Sequence, residues 1–247
     1  MNATIGVEFR LVPRVDLSRA QRAEMFELMN QHFSGVTPEQ FARDLAEKNL
    51  ALLLERDDRL VGFSTLQGYR ATCDGAPVNV IYSGDTIVAP EAWGTTALPR
   101  AWVAGVEALR VTLPPGPCFW LLLTSGFRTY RFLPVFWREF YPRFDATTPV
   151  GTQRLLDRLA GEHFGAQFNS ATGIVRFANP QKLRAGLSAV PDGRKDDPHI
   201  SFFLSRNPAH ANGDELVCLT RLCPENLTSA GRRMMAPQLH ATNSNHR

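Results

Sequence analysis

The stretch from Val80 to Leu98, VIYSGDTIVAPEAWGTTAL, limits the fold of this chain more than any other. It opens as a buried strand rich in β-branched and aromatic residues. Val88-Ala89-Pro90 ends that strand, because proline has no N–H to give to a ladder. Gly94 marks a turn, and a helix begins just beyond it. A strand that passes through a turn into a helix aims the first helical N–H groups, which lack internal partners, at whatever lies over the turn. The helix dipole favours negative charge there, so a phosphate-bearing group can dock. An ordinary strand–helix connection has the same look, and the neighbouring elements must decide.

The flanking order reads as follows. Residues 8–15 form a first strand, with Pro13 demoting its end to an edge. Ser18 caps a helix whose apolar face carries Met25, Phe26, Leu28 and Met29. Thr37, Pro38 and Gln40 open a second helix with a stripe of Phe41, Leu45 and Ala46. An antiparallel meander follows at 50–55, 60–69 and 78–88, turning at Asp57-Asp58 and at Asp74-Gly75. Gly84 weakens the third of these strands, which marks a bulge or the close approach of a ligand. Residues 98–111 form an amphipathic helix ended by Pro114-Pro115-Gly116-Pro117. The run CFWLLLT at 118–124 suits a strand buried on both faces. An aromatic-rich helical stretch, 127–144, comes next, kinked or started at Pro134. Between 145 and 198 the pattern gives a helix at 152–163, a short strand at 173–177 and a short helix at 180–187. Residues 200–205 and 215–221 read as two strands of a closing hairpin, and a polar tail follows Pro224.

Composition excludes several classes. A net charge of +3 with scattered Lys and Arg argues against nucleic acid. No segment reaches membrane-spanning length, and the N-terminus lacks a signal-peptide core, so a cytoplasmic protein with no membrane partner is expected. Cys73, Cys118, Cys218 and Cys223 have no metal-ligand spacing and are expected as reduced thiols, with no metal.

This order of elements, together with Asp85-Thr86-Ile87-Val88-Ala89-Pro90-Glu91, Gly94 and the helix after it, resembles the GCN5-related N-acetyltransferase (GNAT) superfamily. The resemblance spans 8–144 and resumes at 200–221. It implies an α/β fold with a GNAT-like mixed, mostly antiparallel twisted sheet flanked by helices. Residues 1–224 would be a single domain, 145–198 an insertion before the closing hairpin, and 225–247 a polar, mobile tail. The family's turn usually reads Arg or Gln, two residues, Gly, one residue, then Gly or Ala; here Trp93, Thr96 and Leu98 stand at the first, central and last of those positions.

The resemblance further implies acetyl-CoA or another acyl-CoA as co-substrate, and a small-molecule or peptide amine as acceptor. Asp85 would be the general base, its pKa raised by burial. Backbone N–H groups around Ile87 and Val88 would polarise the thioester carbonyl. Trp93, Gly94, Thr95, Thr96, Ser125 and Arg128 would face the cofactor, and Tyr130 is the nearest phenol to serve as acid for the thiolate. Two alternatives stand beside this reading. One is a non-catalytic GNAT-like binding or docking module, and the other an acyltransferase whose donor is an acyl carrier protein. The aromatic side chains of 127–144 cover the sheet or line an apolar pocket, and His199 and His210 fall near the acceptor end of the expected cleft.

Overall fold

In a computed structural model of the chain, the described residues are 6–184, 186–187 and 189–235. The elements run β1 (Glu8–Pro13), α1 (Arg19–His32), β2 (Phe33–Ser34), α2 (Pro38–Ala46), β3 (Leu50–Arg56), β4 (Arg59–Cys73), β5 (Ala76–Val88), α3 (Ala97–Arg110) and β6 (Cys118–Thr124). They continue α4 (Phe127–Tyr130), α5 (Phe132–Phe136), α6 (Val150–Phe164), β7 (Phe168–Asn169), β8 (Ile174–Val175), β9 (Lys182–Leu183), α7 (Pro198–Arg206), β10 (Glu215–Arg221) and α8 (Ser229–Met235).

Eight strands form one sheet in the order β1-β3-β4-β5-β6-β10-β8-β7, and β2 pairs with β9 apart from it. The pairing is antiparallel except for β5 with β6. That parallel pair follows from the chemistry of the connection: α3 carries the chain back over the sheet, as a parallel crossover requires. The meander turns as expected, with positive φ at Asp57 and Asp58 and at Asp74 and Gly75. The fold is the mixed, mostly antiparallel sheet flanked by helices that the resemblance implied.

One face of the sheet is covered by α3, α4, α5, α7 and α8, around Leu52, Leu54, Ile81, Trp102, Trp120 and Leu216. Gly105 lets α3 sit close, since a Cβ there would lie 2.6 Å from Leu52 Cδ2. The other face is covered in two parts. Helices α1 and α2 pack over Leu53, Phe63 and Ile87, and α6 packs over Val80, Tyr82, Leu121 and Val217. A gap separates the two parts.

Several expectations are corrected. Residues 200–205 are not a strand but lie within α7, whose N-terminus is capped by Asp197 and started by Pro198. The cap and the proline outweigh the short apolar run. There is accordingly no hairpin with 215–221; β10 pairs with β6 and β8 instead. Among the described residues of 180–187 there is no helix: Lys182–Leu183 pairs with Phe33–Ser34. The stretch 127–144 is helical only to Phe136, after which Trp137 and Tyr141 bridge to Leu227 and Leu219. Part of the expected mobile tail is ordered: Leu227 is buried, and Gly231 of α8 packs so near the Phe136 carbonyl that a Cβ would lie 2.5 Å from it. Residues 236–247 of that tail lie outside the described residues.

Candidate active site

Strands β5 and β6 pair only from Asn79–Cys118 to Ser83–Leu122. Beyond that point β5 stays with β4 as far as Val88, while β6 stays with β10 as far as Thr124. Each strand is held by its outer neighbour, so the two separate and a cleft opens through the sheet.

A bulge shapes the β5 side of the cleft. Thr65 pairs with Gly84 and Ser64 with Thr86, leaving Asp85 as the extra residue. The Thr86 hydroxyl donates to the Gly84 carbonyl at 3.0 Å and lies 2.8 Å from the Ser64 hydroxyl, which pins the bulge. The bulge resets the alternation of the strand. Before it, Tyr82 faces α6; after it, Ile87 rather than Thr86 or Val88 faces α1 and α2. Without the extra residue, Asp85 would point toward the α3 side. The weakened ladder expected at Gly84 is therefore present.

Two cavities meet at the cleft. The first, about 370 Å³, lies on the α3 side between α3, α4 and α5. Leu98, Trp102, Trp120, Phe127, Phe132 and Phe136 give it apolar walls. At its mouth Trp93 donates its indole N–H to the Val88 carbonyl at 2.7 Å. The Arg128 guanidinium lies 4.1 Å from the centre of the Trp93 ring and donates to the Leu187 carbonyl at 2.5 Å. Gly94 has φ +81°, a conformation that favours glycine, and Thr95 donates to the Ala92 carbonyl at 3.0 Å. Among the described residues, none accepts a hydrogen bond from the backbone N–H groups of Gly94, Thr95, Thr96, Ala97 or Leu98. They form a run of free donors at the N-terminus of a fourteen-residue helix.

The second cavity, about 420 Å³, occupies the gap between α2 and α6 on the opposite face. Its walls carry Asp44, Glu47, Asp85 and Glu215, with Lys48 as the cation, and the rings of Tyr82, His163, Phe164 and Phe177. Phe33, Ser83, Thr86, Leu122, Ser125 and Thr129 line both cavities, so the two communicate through the cleft. The segment 178–183 straps the second cavity. Pro180 is seated tightly between two glycines: a Cβ on Gly35 would lie 2.7 Å from its carbonyl oxygen, and one on Gly213 2.5 Å from its Cβ. The segment expected as an insertion thus supplies one wall of the site.

Electrostatics differ from group to group. Desolvation raises the Asp85 carboxyl to about 6, with Lys48 pulling down and Asp44 pushing up. One of its oxygens, Oδ2, is sealed from solvent and has no hydrogen-bond partner. Desolvation raises Glu215 to about 8, with Asp85 adding to the rise. His163 is lowered to about 4 by desolvation and by Lys48, so it is neutral at physiological pH.

Of the residues singled out from sequence, Asp85 lines the second cavity, and Ser125 lines both. Ile87, Val88, Trp93, Gly94, Thr95 and Arg128 line the first. Thr96 is exposed and contributes its backbone carbonyl to Arg100 at 3.1 Å. Tyr130 is corrected: it is fully buried, lines neither cavity and donates its hydroxyl to the Pro142 carbonyl at 3.0 Å. Burial pushes its pKa up, away from any acid role. Ile87 is corrected as a donor. Ala89 donates to the Val61 carbonyl, and ladder alternation then turns the Ile87 N–H toward β4 and the Thr86 and Val88 N–H groups toward the cleft. His199 and His210 line neither cavity. Lys48, His163 and Glu215 were missed by sequence reasoning.

No family model matches the sequence, and no curated protein matches it. Solved structures are similar over part of the chain. A probable N-acyltransferase from Enterococcus faecalis V583 is 16% identical with a TM-score of 0.39, over 50% of this chain and 31% of that one. The GNAT family N-acetyltransferase YhbS from Escherichia coli, in complex with CoA, is 11% identical with a TM-score of 0.38, over 51% and 66%. A GNAT family acetyltransferase from Brucella melitensis, in complex with acetyl-CoA, is 18% identical with a TM-score of 0.36, over 51% and 81%. The matched part thus spans under two thirds of the first two. By the order of its strands and the splay between β5 and β6, the fold is a mixed, mostly antiparallel sheet opened by a cleft. Among the described residues, no helix is long and apolar enough to cross a membrane.

Proposed function

We propose that the protein is an N-acyltransferase that moves an acyl group, acetyl in the simplest case, from acyl-CoA to a small amine in a ternary complex. The observation that carries this is the junction of the two cavities at the splayed strands. One cavity is apolar and ends at a run of free N–H groups, and the other is polar and rich in carboxylates. A thioester lying across the gap would meet an amine from the opposite face, with both reactants held in line.

In this reading the donor's diphosphate rests on the N–H groups of Gly94–Leu98, with Arg128 beside it, and the pantetheine arm runs along the cleft. The outward N–H of Val88 donates to the thioester oxygen as negative charge develops there. Asp85 takes the first proton from the acceptor's ammonium, which frees the amine lone pair to attack. A carboxyl near 6 is mostly ionised at neutral pH and still basic enough to accept it. As the C–S bond breaks, the second N–H proton goes to the departing thiolate, which leaves without help from Tyr130. The seated strap over the second cavity favours a small acceptor over a peptide. The pinned Trp93 beside Arg128 favours a second reading for the donor, an acyl carrier protein, because it narrows the mouth where a nucleotide would enter.

Calorimetry with CoA and acetyl-CoA tests the donor, on the wild type and on Gly94→Trp. Micromolar binding lost in the variant supports the helix N-terminus as the diphosphate site. Absence of binding at millimolar ligand removes acyl-CoA as donor. Transfer from an acylated carrier protein then decides between the second reading and a non-catalytic module.

A further inference from the structure

We infer that the second cavity takes a free α-amino acid, its ammonium facing Asp85 and Glu215 and its carboxylate on Lys48. The inference rests on reading that cavity as the acceptor site. Its starting point is Lys48, which follows α2 and is only 5% exposed. The Nζ lies 4.8 Å from the centre of the Tyr82 ring. The side chain crosses β5 at Gly84, where a Cβ would lie 2.7 Å from Lys48 Cε and 3.3 Å from Nζ. Glycine at this position leaves room for the ammonium to reach the cavity. Among the described residues, no carboxylate lies within ion-pairing distance of it and nothing accepts a hydrogen bond from it. The ammonium opens into the cavity beside the Tyr82 ring, where the anionic group of a ligand can reach it.

The cavity also holds groups of the opposite sign. Asp85, Glu215 and Asp44 line the same space. One ligand with both charges on a single carbon satisfies both sides. A diamine would meet the carboxylates but leave Lys48 unpartnered and beside a like charge. A carboxylic acid without an amine would leave Asp85 and Glu215 in that position. A peptide amine fails on the second charge, because its carboxyl is spent in the amide. The rings of Tyr82, Phe164 and Phe177 offer the amino acid's side chain an apolar or aromatic wall.

The test compares binding of the free proteinogenic amino acids with their carboxamides and with putrescine, by calorimetry on the protein without acyl-CoA. The carboxamide keeps the amine and removes only the anion. At least one amino acid should bind about tenfold or more tightly than its carboxamide, the strength of a charge-assisted contact. Lys48→Met, which keeps volume and removes the charge, should close that gap; Lys48→Gln serves if the methionine variant does not fold. Carboxamides or putrescine binding as tightly as the amino acids would overturn the inference, as would the absence of binding in all three sets. The same panel with acetyl-CoA separates the two readings. Amino-acid binding without transfer leaves the zwitterion site and removes the acyltransferase. Transfer to putrescine or carboxamides in preference to the amino acids does the reverse.

Discussion

The first cavity is walled by tryptophan and phenylalanine rings and the second by carboxylates and an ammonium, although the two share the residues of the gap between them. The same strand, β5, serves both. The difference comes from one extra residue. Regular alternation would send Asp85 to the ring-lined side, away from Lys48. The bulge sends it instead to the side of Lys48, Asp44 and Glu215 and turns the Val88 N–H to the cleft. A sheet can thus divide a donor side from an acceptor side with a single irregularity in one strand.

The largest test of that division is Asp85→Asn. If Asp85 is the base of the acceptor side, the variant should lose roughly 100- to 10,000-fold in kcat. Calorimetry should find CoA bound as tightly as before, since Asp85 does not line the first cavity. Weakened CoA binding with kcat intact would break the comparison. The wild-type kcat/KM should also rise with pH through about 6 as the carboxyl ionises, with Lys48 and Asp44 as its charged neighbours. His163, neutral above about 4, should leave no mark in that window.

Next in size is stability. The Asp85 carboxyl is raised in the folded protein above its ordinary 3.8, so the stability it contributes is present below that value and is lost as pH rises through about 6. Above pH 6 the native state carries a desolvated carboxylate. Asp85→Asn removes that burden and should stabilise the protein at pH 8 by roughly 2 kcal/mol, after allowance for the side open to the cavity. Chemical denaturation at pH 4 and pH 8 checks it, because the gain should vanish at pH 4. Glu215→Gln should behave alike, with its gain appearing as pH rises through about 8.

Much of the fold was legible because it rests on local signals. The Asp-Asp and Asp-Gly turns declare the meander, the run CFWLLLT declares a strand covered on both faces, and Val-Ala-Pro declares the exit toward α3. The errors fall where a local pattern competes with a cap or with distant packing. Residues 200–205 look like a strand until Asp197-Pro198 is read as a helix start. The strap at 178–183 is paired at its end with Phe33–Ser34, about 150 residues away, which no local window contains. The site divides in the same way. Asp85 and Gly94 sit inside one readable strand–turn–helix unit. Lys48, His163 and Glu215 come from the end of α2, the end of α6 and the start of β10, and only the folded sheet brings them together. A lysine just ahead of LALLLE, and a glutamate opening the apolar run of 215–221, were the signals available.

Gly84→Ala probes the acceptor side more gently. The new methyl would press on Lys48 Cε and on Thr65 Oγ1, 3.2 Å away. The lysine has to withdraw from the cavity, and about 1 kcal/mol of packing is lost. Acceptor KM should rise about fivefold, with CoA affinity unchanged.

Trp93→Phe probes the donor side and should have the smallest effect. It keeps a ring for Arg128 to stack upon and removes the indole bond to the Val88 carbonyl. Because Trp93 is 40% exposed, water can replace the lost donor, and stability should fall by only about 0.5–1 kcal/mol. The informative quantity is the sign of the change in CoA affinity. The Val88 carbonyl faces the cleft, so the substitution frees an acceptor along the path of the pantetheine arm. Tighter CoA binding by calorimetry would mean that Trp93 competes with the donor for that carbonyl. Weaker binding would mean that the indole bond holds the turn in shape for the diphosphate. In either case amino-acid binding in the second cavity should not move, since Trp93 lines only the first. A change there would show that the two sides are coupled through β5.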